Sequence, residues 1–237
     1  MSAAYEYANA DCGGLQTRVA EATVVLRASG ALWLASEAML VVADLHLEKG
    51  SAYAVRGQLL PPYDTRDTLV RLAAEVTALN PTTLVFLGDT FHDNGGEARL
   101  APTDIAALEA IVANRNLIWI VGNHDSEGPK ALPGRGVATL AVQGLTLTHE
   151  PAEGAASAEV AGHLHPCARI RGRVASVRRR CFVTDGERLI LPAFGAYAGG
   201  LNILDAAFAR LFRRPPLAAA LGAGRVHAVG WRSLRPD

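Results

Sequence analysis

Six of the seven histidines in this chain stand at the ends of apolar runs, four of them within two residues of a carboxylate or an amide. They are His46 in Asp44-Leu45-His46, His92 in His92-Asp93, His124 in Gly122-Asn123-His124-Asp125, the lone His149, and His163 with His165 behind Gly162; only His227 lies apart. Asp89, after Gly88, joins them. Imidazole and carboxylate together suit borderline transition metals such as Zn, Mn and Fe. Any one of these histidines, taken alone, reads better as a satisfied core residue than as a ligand. The ordered set is what points to a site. Asp89 can bridge two ions with its two oxygens, and Asn123 offers a neutral amide oxygen. His163 and His165, at i and i+2, can diverge to two ions or converge on one. Two divalent ions about 3.5–4 Å apart would share a carboxylate and a water or hydroxide, which is the arrangement of metal-assisted phosphoryl hydrolysis. Glu150 and Asp125 are candidates to orient the ligand imidazoles from behind.

The elements that must position these residues follow from the apolar pattern. Segments 22–27, 31–35 and 39–43 read as short strands, and the third is apolar throughout, as expected for a strand buried on both faces. It ends in Asp44 and His46, read as alternating along an extended strand end so that both face one crevice. Residues 51–63, with Gly57 and Pro61-Pro62, read as a loop leading to a helix over 64–79 that stops at Asn80-Pro81. Segment 83–87 is the next buried strand and delivers Gly88-Asp89. A helix from about Thr103-Asp104 to Asn114 follows, then a strand over 117–121 that delivers Gly122 to Asp125. Strand, polar motif and helix thus repeat, which predicts a mostly parallel sheet with the ligands beyond its carboxyl ends. After Pro129 short strands succeed one another (137–142, 145–148, 159–161, 168–174, 181–184 and 189–191) and predict a second sheet packed on the first. The whole chain, 1–237, reads as a single domain, with 1–20 a loose lead-in and the tail beyond Arg213 partly mobile.

Composition narrows the class. The 23 basic and 23 acidic residues cancel, so any preference for phosphate has to come from local clustering. Such a cluster exists: Arg169, Arg171 and Arg173 alternate, as on one face of a strand, and Arg178, Arg179 and Arg180 follow. Guanidinium forks match phosphate oxygens, which makes Arg169, Arg171, Arg173 and Arg178 candidate substrate contacts; a solvated basic face is the alternative. Aromatics are few and not interleaved with these arginines, so base reading is not suggested. Gly195, Gly199 and Gly200 around Tyr197 allow either close approach of substrate or tight packing of a turn. Three cysteines (Cys12, Cys167, Cys181) without metal-knuckle spacing suit a reduced, cytoplasmic protein. No secretory leader and no apolar run of about 18–20 residues is evident, so a soluble protein away from the membrane is expected.

The motifs, in order, resemble those of the calcineurin-like metallophosphoesterase superfamily, which run DxH, GD, GNH(D/E), H, GHxH. A narrower likeness covers the chain to about Phe212. Segments 44–50, 60–65, 88–93, 178–182 and 191–200 resemble the ligase-associated DNA damage response endonucleases, the PdeM family. The broad resemblance implies a four-layer α/β/β/α sandwich and two metal sites. One would take Asp44, His46, Asp89 and His165, and the other Asp89, Asn123, His149 and His163. His124 would stabilise the phosphoryl oxygens or protonate the leaving group, and it stands with His92 and Asp125 as the catalytic candidates. At the position of His92 the phosphoprotein phosphatases of the superfamily carry aspartate. A histidine there resembles its double-strand-break repair nucleases and favours a phosphodiester. The expected activity is metal-dependent hydrolysis of phosphodiester bonds in DNA or RNA by a bridging hydroxide, with two divalent ions, Mn²⁺ first and Zn²⁺, Fe or mixed centres open. The narrower resemblance implies bacterial DNA repair beside an ATP-dependent DNA ligase and helicase. Two alternatives stay open: hydrolysis of a small phosphoester or pyrophosphate such as a nucleotide or sugar nucleotide, and a non-catalytic metal-stabilised scaffold that binds repair partners.

Overall fold

A computed structural model describes residues 5–172 and 174–237. It is a mixed α/β structure dominated by two large sheets. The first has eight strands in chain order: β1 (Tyr7–Asn9), β2 (Leu15–Val19), β3 (Ala22–Leu26), β4 (Leu32–Leu34), β5 (Met39–Val42), β6 (Thr83–Leu87), β7 (Asn116–Ile120) and β8 (Arg135–Val137). From β1 to β5 neighbours are antiparallel; from β5 to β8 they are parallel. The switch has a physical cause in the connections. Tight turns join β1 to β5, while helical crossovers separate β5, β6 and β7. These are α1 (Lys49–Val55) with α2 (Asp64–Leu79), and α3 (Gly96–Arg99) with α4 (Pro102–Val112).

The second sheet comprises β9 (Thr139–Val142), β10 (Leu145–Thr148), β11 (Glu159–Ala161), β12 (Pro166–Arg171), β13 (Ser176–Thr184), β14 (Arg188–Ile190), β15 (Leu201–Asn202), β16 (Leu217–Leu221), β17 (Val226–Val229) and β18 (Leu234–Arg235). Between the sheets lies an apolar layer of Val41, Val85, Leu87, Ile118 and Ile120 from one side and Leu147, Val160, Phe182, Leu189 and Leu191 from the other. The opposite face of the parallel strands, with Leu40, Val42, Phe86 and Trp119, is covered by Leu69, Leu72 and Val76 of α2 and Leu108 and Ile111 of α4. Both faces of β5, β6 and β7 are therefore buried, which is why those strands are apolar at nearly every position. Over the outer face of the second sheet the cover is different. Phe208, Ile203 and Leu234 close it, and among the described residues the cover contains 3₁₀ turns and no α-helix.

Three segments depart from what the sequence predicts. Among the described residues of the lead-in, Tyr7–Asn9 and Leu15–Val19 are strands, and β2 alternates buried and exposed residues against β3. The tail contributes β16, β17 and β18, and the alanine-rich β16 pairs along Cys181–Thr184. Residues 49–55 form α1, most of it inside the expected loop. Its sequence carries a glycine and little helical periodicity, but the Asp64 carboxylate accepts the Gly50 N–H (3.1 Å), and Thr65 both receives the Glu48 N–H (2.9 Å) and donates to the Glu48 carboxylate (2.8 Å). Tertiary capping overrides weak propensity here.

Candidate metal centre

The crevice lies beyond the carboxyl ends of β5, β6 and β7, where segments after β10 and β11 meet them. Asp44 and His46 do face it together, but not from an extended strand. Asp44, His46 and Glu48 have φ of 53°, 44° and 63°, so the chain is left-handed at every second residue. The alternation turns Leu45 and Leu47 into the core. Backbone bonds hold this shape: Asp44 N–H to Gly88 O (3.2 Å), His46 N–H to Asp89 O (2.9 Å), Leu47 N–H to Thr90 O (2.8 Å) and His92 N–H to Leu47 O (2.9 Å). Asp89, His163 and His165 also have positive φ, so half of the left-handed non-glycine residues described belong to this one crevice. Each costs about 1–3 kcal/mol, and such strain concentrates where side-chain direction matters more than stability.

The glycines of the motifs serve close approach. A methyl at Gly88 would strike the His149 ring, and one at Gly122 would strike the Asp89 carboxylate. Asp89 in turn accepts the His124 N–H (3.0 Å), and both oxygens of Asp44 receive the His163 N–H (3.1 and 3.0 Å). Each acid is thus aimed by backbone from a neighbouring motif.

Two sets of ligand atoms result. In one, Asp44, His46, Asp89 and His165 bring a ligand atom each to within 4.8 Å of one another; in the other, Asp89, His149 and His163 do so. His46 Nε2 lies 3.1 Å from His165 Nε2, which is 3.3 Å from Asp44 Oδ1. Asn123 Oδ1 lies 3.0 Å from His149 Nε2 and 3.1 Å from His163 Nδ1, so it joins the second set. Asp89 belongs to both, and His163 and His165 diverge. A third triad, His46, His92 and His124, is equally close.

The residues fit metal ions on their own chemistry. Imidazole nitrogens and carboxylate oxygens here converge on shared points, and such convergence in a buried place is costly without a cation. Asp44, Asp89, His46 and His149 are all buried, and the Nδ1 atoms of His46 and His92 have no hydrogen-bond partner. Burial, followed by the nearby His165 and His124, pushes the His46 pKa down to about 2, which leaves the ring neutral, as a ligand must be. His163 is lowered by burial and by His149. His149 Nδ1 donates to the Leu87 carbonyl (3.2 Å), which fixes the tautomer whose Nε2 points into the crevice.

The catalytic candidates separate. His124 is partly exposed, and its Nδ1 donates to the His92 carbonyl (2.9 Å), so Nε2 faces the open side, 4.0 Å from Asp89 Oδ2. The His92 ring stacks near it, centroids 5.3 Å apart, and burial with Lys49 and His124 holds its pKa below the usual imidazole value. Asp125 is buried behind both: its carboxylate accepts the N–H groups of Thr90 (2.8 Å), Phe91 (3.1 Å) and Gly122 (3.1 Å). It ties the loops after β6 and β7 together and does not face the open side. Burial raises its pKa against those hydrogen bonds. Glu150 is exposed.

The arginines divide as well. Arg169 and Arg178 are paired across β12 and β13. Arg169 donates to the Pro236 carbonyl (3.3 Å), while Arg178 bonds the Gly200 carbonyl and pairs with Asp237 (3.3 Å). Arg171 stands six residues beyond His165 along β12, about 20 Å away at strand rise. Arg173 lies outside the described residues. Arg180 is largely buried and donates to the carbonyls of Ala193 (3.0 Å), Ala196 (3.2 Å) and Ala198 (2.9 Å). With Arg71, which donates to Phe194 O (2.6 Å), it pins the 193–200 segment beneath Asp44. Two residues outside the site candidates sit on α1, Lys49 near the end of the 44–50 segment and Tyr53 beyond it. Lys49 donates to the Tyr197 carbonyl (3.1 Å), and the Tyr53 ring lies 5.7 Å from His92. Both stand close to Asp44-Leu45-His46 in the chain.

This geometry has counterparts among known proteins. The family model described as calcineurin-like phosphoesterase matches residues 38–182, which span every residue of the crevice. The chain is similar to a nuclease, MPE, from Pseudomonas putida: 28% identity, TM-score 0.70, covering 94% of this chain and 100% of that one. It also matches a protein of unknown function from Aquifex aeolicus at 15% identity and TM-score 0.38, over 58% of this chain and 81% of that one, too remote to bear on the site. No curated protein sequence matches the chain.

Proposed function

The chain belongs to the calcineurin-like phosphoesterases, a binuclear metal-dependent family, and from that premise we propose that it is a nuclease, cutting phosphodiester bonds in DNA or RNA. The observation that carries the reading is the convergence of two ligand sets on one carboxylate, Asp89, with His92 and His124 on the open side. The likeness to a nuclease over nearly the whole of both chains supports nucleic acid over a small ester.

Asp44, His46, Asp89 and His165 would hold one ion, and Asp89, Asn123, His149 and His163 the other, with Mn²⁺ the first choice for a set of nitrogen and oxygen donors without cysteine. When bound, the ions supply Lewis acidity, which favours ionisation of a water and offsets charge on the phosphoryl oxygens. The chain's own residues do the rest. His124, whose Nδ1 donates to His92 O, presents Nε2 to the leaving oxygen as the group that would hand it a proton. His92, kept neutral by burial and by Lys49, contacts the phosphodiester without adding charge. Asp125 positions both loops. On the narrower family resemblance we place the activity in bacterial DNA repair in the cytoplasm, beside an ATP-dependent ligase and a helicase.

Hydrolysis of a DNA strand, an RNA strand, a cyclic nucleotide and bis-p-nitrophenyl phosphate, with Mn²⁺ and after chelation, tests this. Metal-dependent cleavage of a nucleic-acid strand is expected. Rapid turnover of the small esters with no cleavage of either strand would replace the nuclease by a small-molecule phosphoesterase.

A further inference from the structure

The short helix α1 has one face to which no role has been given. Lys49, Tyr53 and Arg56 follow one another at i, i+4 and i+7, the spacing that puts side chains on a single helical stripe. Tyr53 lies against the His92 ring, and Lys49 and Arg56, the latter at the C-cap of α1, both lie near enough to His92 to add to burial in lowering its pKa. The Tyr53 ring sits 5.7 Å from the His92 ring at 38°, and the Lys49 ammonium lies 5.9 Å from the centre of the Tyr53 ring. Tyr53 and Lys49 are half-buried, and Arg56 is exposed.

The stripe is held rigidly for a seven-residue helix. Its first turn is fixed by Asp64, Thr65 and Glu48. Arg99 clamps it from the other side, donating to Ser51 Oγ (2.9 Å) while paired with Asp93 (2.7 Å), the residue after His92. So the helix and the His92 loop are positioned as one piece. Arg99 is occupied in doing this, whereas Arg56 has no salt-bridge partner among the described residues.

An aromatic ring flanked by two cations, next to a catalytic histidine, has a definite ligand chemistry. Cations suit phosphates, and an aromatic face suits any nucleobase without regard to sequence. Lys49 and Arg56, the latter at the C-cap, are separated by about 10 Å along the helix axis, a span that reaches more than one phosphate of a strand. Resting on the nuclease reading above, we propose that α1 is the strand-holding edge of the active site: Lys49 and Arg56 take phosphates flanking the scissile one, and Tyr53 stacks a base beside it. Among the described residues, no aromatic ring is stacked under an arginine of the β12–β13 hairpin.

The test compares oligothymidylate with an abasic strand of the same length, which keeps the phosphates and lacks the bases. Tyr53→Ala lowers the ratio of kcat/KM for the two strands about tenfold, mostly through KM on oligothymidylate, and Tyr53→Phe restores it, because stacking needs the ring and not the hydroxyl. In parallel, Lys49→Ala and Arg56→Ala each reduce the slope of log KM against log salt by about 0.7, one phosphate contact apiece. An unchanged ratio in Tyr53→Ala, whether both activities fall together or neither does, overturns the stacking role. Unchanged salt slopes overturn the phosphate role. If the wild type cuts neither strand yet hydrolyses small diesters, the nuclease reading itself has failed, and that outcome is distinct from either.

Discussion

The first sheet delivers its polar residues from the ends of parallel strands, through left-handed turns closed by backbone bonds, whereas the second sheet delivers its arginines along a hairpin that runs away from the crevice. The first edge is scattered along the chain but converges in space: Asp44, Asp89 and Asn123 come from three strand ends within one crevice, with Tyr53 of α1 beside His92. The second edge is dense in charge but divided in direction. Arg180 turns inward to three carbonyls, Arg178 and Arg169 turn to the tail, and Arg171 stands far along the strand. Charge density along a sequence therefore does not locate a binding face; the direction in which each strand leaves its sheet does.

The largest effect should come from the residue on which both ligand sets depend. Asp89→Asn keeps the shape but removes the charge from the shared carboxylate, and hydrolysis of bis-p-nitrophenyl phosphate with Mn²⁺ should fall by more than about 10³-fold. The same variant should lose most of the rise in thermal midpoint that Mn²⁺ gives the wild type, since only a ligand bound to the folded state stabilises it. A variant that keeps both would remove Asp89 from the centre and make the first edge no more special than the second.

His124→Ala comes next, at about 10²-fold for a nucleic-acid strand. If His124 gives its proton to the leaving oxygen, a p-nitrophenolate leaving group needs that help least. The loss on bis-p-nitrophenyl phosphate should then be several-fold smaller than on the strand. Equal losses would mean that the ring stabilises phosphoryl oxygens instead.

Much of the first edge is legible in the order of residues alone, because ligand chemistry demands particular residue types and a buried parallel strand demands an apolar run just before them. The strands ending at Asp44, Asp89 and Asn123 follow from that pairing. What the sequence conceals is held by contacts distant in the chain. Helix α1 depends on caps from Asp64 and Thr65, β16 on pairing with Cys181–Thr184, and the left-handed turns at Asp44 and His46 on bonds to Gly88 and Asp89. Asp125 illustrates the same limit from within a motif, since its type suggests catalysis while its three backbone partners make it a clamp.

On the second edge, Arg180→Ala should show a structural role rather than a binding one. The guanidinium serves three carbonyls of the 193–200 segment in a largely buried place, so its loss should cost about 2 kcal/mol of unfolding free energy in urea titration. Metal affinity should weaken only as far as the Gly195 bond to Asp44 O loosens. A stable variant with a selectively raised KM for the strand would instead put Arg180 in contact with substrate.

The smallest effect is expected where the sequence pattern is most suggestive. Arg171 alternates with Arg169 in the manner of a phosphate-binding strand, yet it lies about 20 Å from His165 along β12, beyond two Debye lengths at physiological salt. Arg171→Ala should therefore change KM for a short oligonucleotide by no more than about twofold and leave the salt slope where it was, while Lys49→Ala lowers that slope. Length sharpens the contrast. A strand just long enough to span the crevice cannot reach Arg171, and a longer one can, so a KM defect that appears only as the strand lengthens would make the hairpin an outer track for the same substrate. A tenfold defect already present with the shortest strand would reverse the roles of the two edges, with the hairpin holding the nucleic acid and α1 reduced to a prop for His92.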